Sequence, residues 1–95
     1  MTTPEPLLQL DGDHPMVKRL LALVLPDDIK LMAGQLLSQL LEVQDQDSLY
    51  YSAGTGNGYA LGVWLSGAVK EKAYDQLISL YKQAADYRAQ EKGWL

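Results

Sequence analysis

The sequence predicts a mainly helical α+β domain, with three amphipathic helices over 13–25, 27–45 and 66–91 and one central β-hairpin at about 49–65. Two observations carry that prediction. Apolar residues recur with a helical period on both sides of the middle of the chain. Between them, residues 49–69 form twenty-one positions without a charge, glycine-rich and containing the turn dipeptide Asn57-Gly58. The alternative is an all-α bundle in which a Gly-rich connector, followed by a short separate helix, replaces the hairpin.

Residues 1–12 hold Pro4 and Pro6, a short apolar patch at Leu7-Leu8-Gln9-Leu10, and a turn dipeptide, Asp11-Gly12. The patch reads either as a short strand beside the hairpin or as an N-terminal arm on the helices. The first helix starts at Asp13 or His14, with Pro15 in the first turn, where a missing N–H costs nothing. Its apolar residues cover much of the surface from Met16 to Leu25, so it is expected to be buried on more than one side.

Pro26 closes that helix, and Asp27-Asp28 provide an N-cap and first-turn negative charge for the second. On a wheel, Ile29, Met32, Ala33, Leu36, Leu37, Leu40, Leu41 and Val43 span roughly 180°, opposite Gln35, Ser38, Gln39 and Glu42. Extending the helix would put Asp47 in the centre of the apolar arc and Leu49 on the polar side. The helix is therefore expected to stop near Asp45, with 45–48 as a loop.

The uncharged stretch has the length of a membrane span. Its composition argues against one, because five glycines, Asn57, Thr55 and two serines leave too little apolar surface. A helix continuous with the next one is disfavoured by phase, since Leu61, Trp64 and Leu65 fall on the polar side of the helix that follows, with a break at Ser66-Gly67. A hairpin fits best. Asn-Gly tolerates positive φ at both centres of a type I′ turn, and Tyr59, Leu61, Val63 and Leu65 then share one face of a strand. Pairing about the turn sets Tyr51 opposite Trp64 and Tyr50 opposite Leu65. The weak part is 52–56, whose β-propensity is poor.

The third helix begins at Ser66 or Gly67 and closes at Gly93. Its apolar arc holds Val69, Ala73, Leu77, Leu80, Ala84 and Tyr87 and broadens through Tyr74, Ile78, Tyr81 and Ala85. Glu71, Lys72, Asp75, Ser79, Lys82, Gln83 and Asp86 form the solvated side.

At 95 residues the chain makes one domain with a single modest core. It contains no cysteine, which excludes a disulfide framework and a thiolate metal site and fits a reducing compartment. The first residues, Met1-Thr2-Thr3-Pro4-Glu5-Pro6, lack the basic region and apolar core of a signal peptide, so a cytoplasmic location is expected. A net charge of −4, from 12 acidic against 8 basic residues in dispersed positions, argues against nucleic acid and membrane surfaces as partners.

A surface helix needs an apolar stripe of only about 100° or somewhat more, and the second and third helices each exceed it. The surplus points to a protein–protein interaction module, expected to self-associate as a homodimer or to dock a larger protein, acting by binding as an adaptor or a protein inhibitor. The candidate interface is Tyr50, Tyr51, Tyr59 and Trp64 of the hairpin with Tyr74, Ile78, Tyr81 and Ala85 of the last helix, because tyrosine combines large area with a polar tip. The competing reading buries all of this surface internally.

A second functional reading uses Gly54-Thr55-Gly56-Asn57-Gly58 as a loop whose backbone N–H groups converge on a small anionic or nucleotide-like ligand. It lacks the Gly-Lys-Ser/Thr ending of a Walker A loop, and a turn demanding positive φ explains the glycines more simply. His14 beside Asp13 is read as a helix cap rather than a base, for no cysteine, second histidine or activated serine accompanies it. Glu42, Asp45 and Asp47 lack the glycine and distal glutamate of an EF-hand loop. No catalytic, metal or cofactor site is expected, and an enzyme is the weakest of the three function classes.

Overall fold

A computed structural model describes residues 13–95, so the arm or strand expected within 1–12 lies outside the described residues. Four helices make up the described part: α1 (Pro15–Ala22), α2 (Asp27–Leu41), α3 (Gln46–Leu65) and α4 (Glu71–Lys92).

The central hairpin is the main correction. Residues Gln46–Leu65 form one continuous helix of 20 residues, and the described residues contain no strand. The all-α alternative therefore holds in class, with its glycine-rich connector replaced by helix. Helix α3 starts on a strong cap: the Asp45 carboxylate accepts from the Ser48 N–H at 2.7 Å and from the Ser48 hydroxyl at 2.9 Å. Those two bonds, the backbone one first, hold the Asp45 carboxyl below its ordinary range. Asp47 adds negative charge in the first turn. The helix ends in a Schellman motif, with Gly67 at φ +83 and the Ala68 N–H reaching back to the Val63 carbonyl at 2.9 Å. The positive φ at Gly67 is also why the last helix begins at Glu71 and not at 66.

The other boundaries shift for local reasons. Helix α1 ends at Ala22, short of Leu25, because Leu23 is already extended and Pro26 disfavours helical backbone in the residue before it. Only one side of α1 is buried, through Met16, Val17 and Leu20, while Leu21 is exposed. The His14 Nδ1 accepts from the Met16 N–H at 3.1 Å and caps it. Helix α2 stops at Leu41 instead of 45. Helix α4 closes at Gly93, φ +74, with the Trp94 N–H on the Ala89 carbonyl at 2.8 Å.

The contacts fix the arrangement. Gly56 meets Tyr81 and Trp64 stacks on Tyr74, so α3 and α4 run antiparallel. Tyr81 bonds Ala33 and Arg88 bonds Val43, so α2 and α4 run parallel. Among the described residues, α3 packs on α2 and α4, α1 packs on the same two helices, and α1 and α3 do not meet. The core joins Leu20 of α1, Ala33, Leu37 and Leu40 of α2, Ala60 of α3, and Leu77, Leu80, Tyr81 and Ala84 of α4.

Candidate functional site

The two sides of α3 are built differently. Facing α2 and α4 are Leu49, Gly56 and Ala60, all buried, with Ala53 and Val63 partly buried beside them. These are mostly small residues, and they let α3 lie close to its neighbours. A Cβ on Gly56 would stand 2.8 Å from Cγ of Tyr81 and 2.9 Å from both Cδ carbons, so the α3 backbone rests on the tyrosine ring.

The opposite side carries the bulk. Tyr50, Tyr51, Leu61 and Leu65 are 66%, 78%, 41% and 72% exposed. Between them lie Gly54, Gly58 and Gly62, each exposed and each with no atom within 4 Å of where a Cβ would be. At about 100° per residue, these seven residues share one face of the helix. Thr55 lies at its edge with its hydroxyl donated to the Tyr51 carbonyl at 3.0 Å, which turns its polarity inward. From Tyr50 to Leu65 the face carries no charge. The result is an uncharged, largely apolar strip about 23 Å long at the rise of an α-helix, with glycines along its middle, larger side chains beside them and the exposed Asn57 at its other edge.

The candidate interface divides on this geometry. Tyr50 and Tyr51 lie on the strip. Tyr59 is half-buried, and its hydroxyl is pushed up from the ordinary tyrosine range by burial first and by the Asp28 carboxylate second. Trp64 and Tyr74 stack on each other at 4.5 Å between ring centroids and 22° between planes. Ile78 and Ala85 pack partly buried against the core. Tyr81 has no exposed surface, and its hydroxyl donates to the Ala33 carbonyl at 3.0 Å. Of the α4 edge, Tyr81 is interior, whereas Tyr74, Ile78 and Ala85 keep part of their surface. Sequence reasoning missed Leu61, Leu65 and Gly62 as surface residues, though the i, i+4, i+8 spacing of Gly54, Gly58 and Gly62 was the available signal.

The glycine loop is likewise corrected. Gly54, Thr55, Gly56, Asn57 and Gly58 form part of a helix, where each N–H is directed at the carbonyl four residues earlier. Amides committed in that way cannot converge on an anion. Comparison with known protein families, characterised proteins and solved structures finds no match to this chain. The surface chemistry therefore has to be read from the chain itself.

Elsewhere the described surface carries open grooves, two of which are well formed. One, of about 530 Å³ between α1 and α4, is lined by Arg19 and Lys72 together with Glu71 and Asp75, charges of both signs. The other, of about 460 Å³, lies where Val24 and Pro26 approach Val69 and Ala73. Among the described residues no group of three or more histidine, aspartate or glutamate side chains could hold a metal ion. His14 serves as a cap and lies against Tyr87 at 4.7 Å between ring centroids. None of the described helices is long and apolar enough to cross a membrane.

Proposed function

We propose that this chain is a small cytoplasmic protein-interaction module that works by binding, and that the outward strip of α3 is its contact surface. One observation carries the reading: one exposed face of α3 holds two tyrosines and two leucines and no charge, with Thr55 and Asn57 at its edges. Contiguous exposed apolar surface of this kind marks an interaction site. The helix length and the glycines along its middle suit another helix laid against it, because small residues permit close backbone approach. An adaptor or a protein inhibitor could both work through such a face.

A site-specific crosslinker tests the reading. A benzophenone amino acid in place of Tyr51 is expected to give a discrete protein adduct in the source cell, while the same group in place of Lys82 on the solvated side of α4 gives none. Adduct formation equal at both positions, or absent at both, overturns the assignment of the surface.

A further inference from the structure

We infer that the occupant of the α3 strip is a second copy of this chain, its α3 packed antiparallel to the first about a twofold axis through Gly58. The inference rests on the reading of that strip as the contact surface and adds the identity of the partner and the geometry of the contact.

Three features lead to it. First, among the described residues nothing packs where a Cβ of Gly54, Gly58 or Gly62 would stand. Each lies in a helix interior, where glycine costs about 1 kcal/mol against alanine, and each has open space where a Cβ would sit. Gly56 is explained by Tyr81; these three are explained by a backbone arriving from outside. Second, the strip is complementary to itself when reversed. An axis through Gly58 sets Gly54 against Gly62 of the copy and Tyr51 against Leu65, so aromatic surface at one end meets aliphatic surface at the other. The isologous pairing of a twofold has this form. Third, the charges agree. The strip is neutral, so two chains of net charge −4 meet there without facing charge. Asp47 lies in the first turn of α3; antiparallel packing keeps the two Asp47 carboxylates at opposite ends of the pair, whereas parallel packing would set Asp47 on Asp47.

The area is sufficient for a modest dimer. With an aromatic side chain carrying about 150–250 Å², the four large residues and the backbone between them present roughly 500–650 Å² per copy. Complete burial of both strips sets an upper bound of about 1,000–1,300 Å² for the pair, the lower end of specific interfaces. Micromolar dissociation is the expected scale.

Sedimentation equilibrium of the purified chain, with Gly58→Leu alongside, tests this. The wild type is expected to be a dimer at tens of micromolar. A Cβ at Gly58 meets no described atom within 4 Å, so Gly58→Leu is expected to keep its helical circular dichroism and to raise the dimer dissociation constant by at least about 100-fold, equivalent to roughly 2.7 kcal/mol. Because the chain has no cysteine, single introduced cysteines report orientation. An equimolar mixture of Gly54→Cys and Gly62→Cys is expected to form a mixed disulfide that neither variant forms alone. A wild type that stays monomeric to millimolar concentration, a folded Gly58→Leu with unchanged dissociation, or a Gly54→Cys disulfide with itself in place of the mixed one overturns the proposal. If the crosslinker at position 51 captures a different protein while the purified chain is monomeric, the contact surface stands and the second copy falls.

Discussion

The inner and outer sides of α3 use the same residue for opposite purposes. Gly56 on the inner side is a contact, because the ring of Tyr81 occupies the space a side chain would need. Gly54, Gly58 and Gly62 on the outer side have no described atom where a Cβ would need room, and they stand among exposed tyrosines and leucines. A helix that packs through glycine and alanine and carries tyrosine and leucine on its water side departs from the usual surface helix. Amphipathicity alone therefore does not show which side of a helix is packed; the size of the neighbours decides it.

The sharpest way to break the inner side is to remove what Gly56 rests on. Tyr81→Ala is expected to cost about 3–5 kcal/mol, measured by urea unfolding, since it empties a fully buried site and deletes the bond to Ala33. A loss under about 1 kcal/mol would show that α3 does not depend on that ring. Next comes the pair Gly56→Ala and Gly58→Ala, chemically identical changes one helical side apart. The first forces overlap with a buried ring and is expected to lose about 1–2 kcal/mol net, overpacking outweighing helix propensity. The second should gain up to about 1 kcal/mol in the monomer, measured below the dissociation constant. If both shift stability in the same direction, the two sides are not distinct.

The smallest effect concerns pH. Burial first, and Tyr59 second, push the Tyr81 hydroxyl well above the ordinary tyrosine range. In the unfolded chain the phenol ionises near pH 10, while the buried one keeps its proton. The stabilisation is thus fully present below about pH 10 and is lost as pH rises beyond it. Tyr81→Phe is expected to cost about 1 kcal/mol at neutral pH, through the lost hydrogen bond, and to flatten the decline in stability above pH 10. An unchanged alkaline slope in Tyr81→Phe would assign that decline to other tyrosines.

Helices α2 and α4 were legible because their buried residues are large and recur with a helical period, so burial and hydropathy coincide there. In α3 they do not. The buried arc is Leu49, Gly56 and Ala60, two of them too small to register as a stripe, and the apolar residues that do register face water. Glycine and Asn57-Gly58 then supply a hairpin signal that competes with a helix whose evidence is tertiary: the Tyr81 ring and the seam of α2 and α4. The local cue for a helix start, Asp45 followed by Ser48, is masked in the sequence because the apolar period of the preceding helix reaches Val43 and leaves 45–48 reading as the loop after it. For the candidate surface, the chemistry was visible in Tyr50 and Tyr51. Its partners on the same face, Leu61 and Leu65, required the helix to be known.

Two polar contacts described above act together on α2 and α4. Tyr81 holds the Ala33 carbonyl, and Arg88, seven residues later on the same helix, holds the Val43 carbonyl through Nε at 3.0 Å and Nη2 at 2.7 Å. Apolar ridges can slide past one another by one helical turn, about 5.4 Å, while keeping much of their contact. A hydroxyl and a guanidinium cannot follow, because each must find one oxygen at one distance. With a clasp in the middle of α2 and another beyond its end, parallel α2 and α4 have a single axial register. That register places Tyr81 at the height where Gly56 crosses, so the alignment of α2 and α4 also sets the position at which α3 can lie.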